Sequence, residues 1–220
     1  MGSKERRERD KENLRQEILD AARQLFVKNG YENVSMRQIA EKIEYSPTTI
    51  YLYFKDKAEL FGSLCQETFA RLEGELAAIA KTDRDPALCL RKGTEAYIRF
   101  ALHYPYHYQV VFMTLHPHKQ AEVKDFQLTG DAGQRSFQYL LEIITQGIEQ
   151  GKFRKKDPVL LAQTAWAAMH GIASLLIAKK EFPWVDTDVL IESAVETLVR
   201  GVAEEPAQQE TAACVEPDHR

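Results

Sequence analysis

The sequence predicts an all-α protein, with an N-terminal helix-turn-helix head of three helices followed by a helical-bundle body. Three observations predict it. Glycine and proline are sparse and fall between segments, at positions such as Gly30, Pro47, Pro86, Pro105, Gly151, Pro158 and Pro183. Apolar residues between those breaks recur three and four apart, as in Leu14, Ile18, Ala22, Leu25 and Phe26, then Met36, Ile39, Ala40 and Ile43, which is the helical period. No stretch alternates apolar and polar residues over a strand's length, and no segment repeats.

The first helix is expected from about Glu12 to Lys28, ending at Asn29-Gly30, where glycine accepts the left-handed backbone of a helix C-terminus. Ser35 is placed to cap the second helix, and apolar spacing carries that helix to about Ile43. Glu44 and Tyr45 turn the chain into Ser46-Pro47, a cap followed by proline at the first helical position, where the missing amide proton costs nothing. This third helix is expected to reach Tyr53, and a fourth runs from Lys57 to Ala80. Further helices follow near Pro86 to Tyr104, Tyr106 to Thr114, Gly133 to Gln150, Pro158 to Lys180 and Thr187 to Ala203. Val159 to Ala178 holds no charged residue and reaches the about 20 residues that cross a bilayer. Gln163, Thr164, His170 and Ser174 interrupt it on several faces, so it reads as a helix buried on its own core and on a partner subunit, with no membrane. Residues 204–220 are polar and acidic without periodicity, the pattern of a disordered tail. The expected division is residues 1–56 as head, 57–203 as ligand-binding and dimerisation body, and 204–220 as tail.

With 44% hydrophobic and 28% charged residues in 220, the chain falls outside the collagen-like, disordered and disulfide-scaffold classes. Its cysteines, Cys65, Cys89 and Cys214, are odd in number and far apart, so the expected compartment is a reducing cytoplasm. The charged first ten residues have no apolar stretch behind them and do not resemble a signal peptide. A net charge of -4 does not argue against nucleic acid. The first 60 residues hold 12 basic and 11 acidic side chains, while residues 204–220 hold one basic and five acidic, so the deficit lies in the tail. A head this weakly basic is expected to depend on shaped contacts and dimer avidity more than on bulk attraction.

Two short helices joined by a tight turn make a helix-turn-helix whose second helix can enter a major groove. That helix and the residues around it offer Tyr45, Ser46, Thr48, Thr49, Tyr51 and Tyr53 within nine positions, hydroxyls suited to phosphates and base edges, and Arg37 and Lys57 add charge at either end. Tyr51 also fits a partly buried role with only its hydroxyl exposed, and Lys57 a merely solvated or capping one. Ile39, Ala40, Ile50 and Phe54 read as core.

The head resembles the TetR family of bacterial transcriptional regulators across about residues 12 to 64. The resemblance rests on Ile18-Leu19, Ala21-Ala22, Leu25-Phe26, Gly30-Tyr31, Ser35, Ile39-Ala40, Ser46, Thr49-Ile50-Tyr51, Tyr53-Phe54, Lys57 and Leu60. It implies base contacts from Arg37, Thr48 and Thr49, with Pro47 against a thymine methyl or the backbone, and phosphate contacts from Ser35, Tyr51, Tyr53 and Lys57. It departs from the family at the turn, where glycine and valine are common and this chain has Glu44-Tyr45. A positive φ at Glu44 would cost about 1 kcal/mol. The run Lys4, Arg6, Arg7, Arg9, Lys11 and Arg15, interleaved with four acids, is either a solvated stretch or an arm along DNA.

In the body, Trp166, His170 and Gly171 resemble the Trp/His/Gly pattern of one sensor subgroup of that family. Gly171, Ser174, Leu175, Val189, Ser193 and Leu198 are the expected dimer interface, with the last two helices packing on their symmetry mates as a four-helix bundle. A pocket is expected among Tyr97, Phe100, Tyr104, Tyr108, Phe112, Phe137, Leu140, Ile144, Trp166, Met169 and His170, although such stripes also serve as plain core. Their aromatic richness favours a hydrophobic or aromatic effector. His103, His107, His116 and His118 cluster, but Pro105 breaks the helical spacing and no ligand-spaced Cys or carboxylate accompanies them, so no metal and no cofactor are expected. The resulting expectation is a homodimer that binds a double-stranded DNA operator and is released by a small-molecule effector. It is not an enzyme, since no catalytic motif is present.

Overall fold

The computed structural model describes residues 3–113 and 130–203. Among them the only extended pairing is an isolated antiparallel bridge between Phe153 and Ala203. The head is built from α1 (Ser3–Asn29), α2 (Met36–Lys42) and α3 (Pro47–Tyr51). Gly30, at φ 78°, ends α1 as expected. A reciprocal capping box starts α2: Ser35 Oγ accepts from the Gln38 amide, and Gln38 Oε1 accepts from the Ser35 amide at 2.7 Å. Ile18, Leu19, Ala22, Phe26, Ile39, Ala40, Ile50 and Phe54 close the core beneath them.

The long helix α4 (Lys57–Thr82) belongs to both regions. Its first turns put Leu60, Phe61, Leu64 and Cys65 into the head core, and Leu72 lies in the core of the body. The body continues with α5 (Pro86–His103), α6 (Pro105–Tyr108), α7 (Gly130–Glu149), α8 (Pro158–Ala178) and α9 (Thr187–Val202). α5 sits centrally, packed on α4, α7, α8 and α9. Although α8 is long and apolar enough to cross a membrane, its Leu161, Ala165, Met169, Ala173 and Ile177 are buried in the bundle. Near the C-terminus of α7, Gly147 lets the Phe153 ring come so close that a Cβ would lie 2.0 Å from it.

Several boundaries differ from the sequence expectation by two residues or more. α1 starts at Ser3 rather than near Glu12, because its first turns are charged and exposed, with pairs such as Arg6–Asp10 four apart, and need no apolar face. α3 stops at Tyr51, two residues short of the expected end. After α6 the helix widens into a π turn at Gln109–Met113, a geometry with no signature in apolar periodicity. The predicted acidic tail, 204–220, lies outside the described residues.

Candidate nucleic-acid interface and internal cavity

Ile50 is the one fully buried residue of α3, so the rest of this helix is available to a partner. Arg37, Tyr45, Pro47, Thr48 and Tyr51 are exposed, with Tyr51 at 54%. Ser46 Oγ accepts from the Thr49 amide and lies 2.9 Å from Thr49 Oγ1. This cap fixes the start of the reading helix and holds the Thr49 side chain. Ser35 is likewise exposed, but its hydroxyl is engaged with Gln38. Glu44 adopts φ 60°, the left-handed turn where the sequence departs from glycine.

Two of the candidate phosphate residues also serve the fold of the head. Lys57 Nζ donates to the carbonyls of Tyr31 and Val34, each at 2.9 Å, and lies 4.3 Å from the centre of the Tyr31 ring. It clamps the loop between α1 and α2 to the start of α4, leaving one donor. Tyr53 is half-buried and packs against the head core. Leu52, at the end of α3, is 76% exposed and adds an apolar contact surface that hydroxyl content alone does not reveal.

Within the body lies a cavity of about 580 Å³. Its walls come from α4 (Cys65, Phe69, Leu72, Leu76), α5 (Gly93, Thr94, Tyr97), the π turn (Val111, Phe112), α7 (Phe137, Leu140, Ile143) and α8 (Trp166, Met169). Tyr97, Phe112, Phe137, Leu140, Trp166 and Met169 are the predicted pocket residues that line it. The other five do not. Phe100 is buried against Tyr104 on another side of α5, and both border a separate shallow hollow near Asp188. Tyr108 is fully buried in the body core, and Ile144 packs with Leu90 and Phe153. His170 stands behind the wall, where its Nδ1 lies 2.5 Å from the Tyr108 hydroxyl and 3.2 Å from Tyr97 Oη. Burial holds the His170 pKa below its usual value, because it disfavours the charged ring. Trp166 Nε1 donates to Tyr97 Oη at 3.4 Å, tying the cavity wall to this network.

Sequence reasoning missed Cys65, Phe69, Leu72, Thr94 and Val111. Phe69, Leu72 and Leu76 share one helix face and were findable by spacing, whereas Val111 depends on the π turn. Cys65 and Val111 both touch the cavity and pack in the head core, which joins the two sites physically. A polar link runs beside them. Glu67 on α4 accepts from Arg23 of α1 at 2.8 Å and from Arg71 at 3.0 Å, and His107 Nε2 of α6 lies 4.0 Å from it.

Among the described residues no three His, Cys, Asp or Glu gather as a metal site, and His116 and His118 lie outside them. Of the expected interface residues, Leu175, Val189 and Ser193 are exposed and Gly171 and Ser174 half-buried. Leu198 instead packs inward against the body core, on the opposite side of α9 from the expected contact.

Comparison with known proteins gives the same two-part picture. Residues 18–64 match the family described as bacterial regulatory proteins, tetR family. Residues 90–201, about half of the chain, match the tetracyclin repressor-like C-terminal domain. The HTH-type transcriptional repressor KstR of Mycolicibacterium smegmatis is 39% identical over 84 residues, 38% of this chain and 36% of that protein. In the first curated relatives matched, the chain thus spans only about a third of the relative's length. The fatty acid metabolism regulator protein of Bacillus subtilis is 26% identical over 191 residues, 84% of this chain and 94% of that one. Among solved structures, the fatty acid degradation regulator FadR from Bacillus halodurans superposes with a TM-score of 0.73 at 21% identity, covering 85% of this chain and 95% of that one. With both parts matched in order, the chain belongs to the TetR family of DNA-binding transcriptional regulators and is not an enzyme.

Proposed function

We propose that this regulator is a homodimeric repressor whose two heads read a pseudo-palindromic operator and whose cavity takes a small hydrophobic or aromatic effector that releases it. The observation that carries the reading is the shared wall: Cys65 and Val111 belong at once to the cavity and to the core that seats α2 and α3. Filling the cavity shifts residues on which the orientation of the reading helix depends. Two copies of α3 about 34 Å apart are needed to enter successive major grooves, so a small reorientation costs one half-site.

In this reading Arg37, Thr48 and Thr49 contact bases, Tyr45, Pro47 and Tyr51 flank them, and residues 1–56, 57–203 and 204–220 act as head, sensor body and tail. Dimerisation runs through α8 and α9. Leu175 and Val189 are 49% and 58% exposed apolar residues, and beside Gly171 there is open space within 4 Å, room for a second helix. Trp166, His170 and Gly171 align the body with the Trp/His/Gly sensor subgroup. The apolar cavity and the names of the Bacillus relatives favour a lipid-like effector. The protein works in the cytoplasm, without a membrane partner.

The test selects DNA sites from a random pool with the purified full chain, then counts chains per operator by native mass spectrometry. Two chains on a palindromic site are expected, and one chain per site would refute the dimer.

A further inference from the structure

We propose that the cavity's occupant is a neutral, largely apolar molecule that places one uncharged oxygen on the hydroxyl of Thr94. The inference rests on reading the cavity as the effector site and adds the chemistry of what fills it. Thr94 lines the wall of α5, one turn before Tyr97, and is 1% exposed. Its Oγ1 has no hydrogen-bond partner among the described residues.

Other threonines in these helices behave differently. Thr68, Thr145, Thr164 and Thr197 each donate to the carbonyl four residues earlier, at 2.8 Å. That local bond is the ordinary way for a helical threonine to satisfy its hydroxyl. Thr94 leaves the bond unmade on a wall whose further polar side chains, Gln134, Ser136, Gln138 and Tyr139, come from α7, and a buried hydroxyl without a partner is unfavourable until something supplies one.

The rest of the wall narrows what that something is. Among the described residues lining the cavity there is no Lys, Arg, His, Asp or Glu. Arg135, nearby on α7, is committed to Glu73 by two donors at 2.6 and 2.8 Å. Against these described residues a carboxylate or phosphate would lose its water without gaining a counter-charge. Tyr97 Oη is already engaged with Trp166 and His170. Burial pushes the Cys65 thiol up to about 12, so it stays protonated and does not trap an electrophile. An ester carbonyl, a ketone or an alcohol fits, because each meets the Thr94 hydroxyl without importing charge.

The experiment titrates the full chain with methyl laurate, laurate and dodecane at about pH 8, where laurate is ionised, and follows tryptophan fluorescence, to which Trp166 contributes from the wall. Methyl laurate is expected to bind at least about tenfold more tightly than laurate. Thr94→Val is expected to weaken methyl laurate about three- to tenfold, the range of one net hydrogen bond, while leaving dodecane unchanged. Thr94→Ser retains the affinity, and unliganded Thr94→Val melts no lower than the parent, since it removes an unpaired hydroxyl. Laurate binding as tightly as its ester, or Thr94→Val weakening ester and hydrocarbon alike or neither, overturns the proposal and leaves the cavity reading intact. If none of the three probes binds, the cavity reading falls and the proposal falls with it.

Discussion

In the head, short polar side chains sit at the surface and act locally: Ser35, Ser46 and Asp56 cap α2, α3 and α4 and leave Tyr51 and Thr48 facing solvent. In the body, Tyr97, Tyr108 and His170 are drawn inside into a hydrogen-bonded group at the edge of an apolar cavity. In the proposed reading the head is a reader with its chemistry displayed, and the body a sensor with its chemistry enclosed. Neither property follows from residue type alone, because tyrosines serve both regions; which atoms are buried decides the role.

The largest effect that separates the two regions is expected from Thr49→Ala combined with Tyr51→Ala. Each base or phosphate contact contributes about 1–3 kcal/mol and is repeated by the dyad, so operator affinity falls by at least about 100-fold in fluorescence anisotropy. The melting temperature changes little, because Tyr51 is mostly exposed. A large loss of stability would show the reading helix to be structural, erasing the contrast with the body.

A smaller effect belongs to the seam between the regions. Burial, and then the Arg23 charge, lower the His107 pKa to about 4, below the usual value near about 6.5 in the unfolded chain. The unfolded state therefore takes up the proton first, so the associated stability is present above about pH 6.5 and is lost as pH falls toward about 4. Between about pH 7.5 and pH 5 the loss is about 2 kcal/mol, measured by urea denaturation. His107→Gln should flatten that pH dependence, and an unchanged slope would assign it elsewhere.

The smallest effect lies in the turn. Glu44 holds a left-handed φ of 60° without a glycine's freedom, so Glu44→Gly should stabilise the protein by up to about 1 kcal/mol in the same denaturation assay. It also removes a negative charge beside the DNA, so operator affinity should rise slightly. Destabilisation would mean that the Glu44 side chain contributes something the strain argument omits.

The head was legible in the sequence because its signals are local. Ser35 as a cap, Pro47 after Ser46 and Gly30 after Asn29 each act within one turn of chain, and all three appear in the fold. The start of α1 was not legible, since a charged solvated helix carries no apolar stripe. The clamp made by Lys57 was not legible because its carbonyl partners, Tyr31 and Val34, lie more than twenty residues away. In the body, the order of the described helices could be read from periodicity, but which aromatics face a void could not. Tyr97 and Phe100 are three apart on α5, yet the first lines the cavity and the second does not, and Val111 reaches the wall only through a π turn.

The central claim, that an occupied cavity disengages the head, is tested most directly by measuring operator affinity with and without saturating methyl laurate, with occupancy read from tryptophan fluorescence. The account predicts that the ester weakens operator binding by at least about fivefold, the lower end of ordinary allosteric coupling, and that the operator weakens ester binding by the same factor. Unchanged operator affinity in a protein whose cavity is demonstrably filled would contradict it.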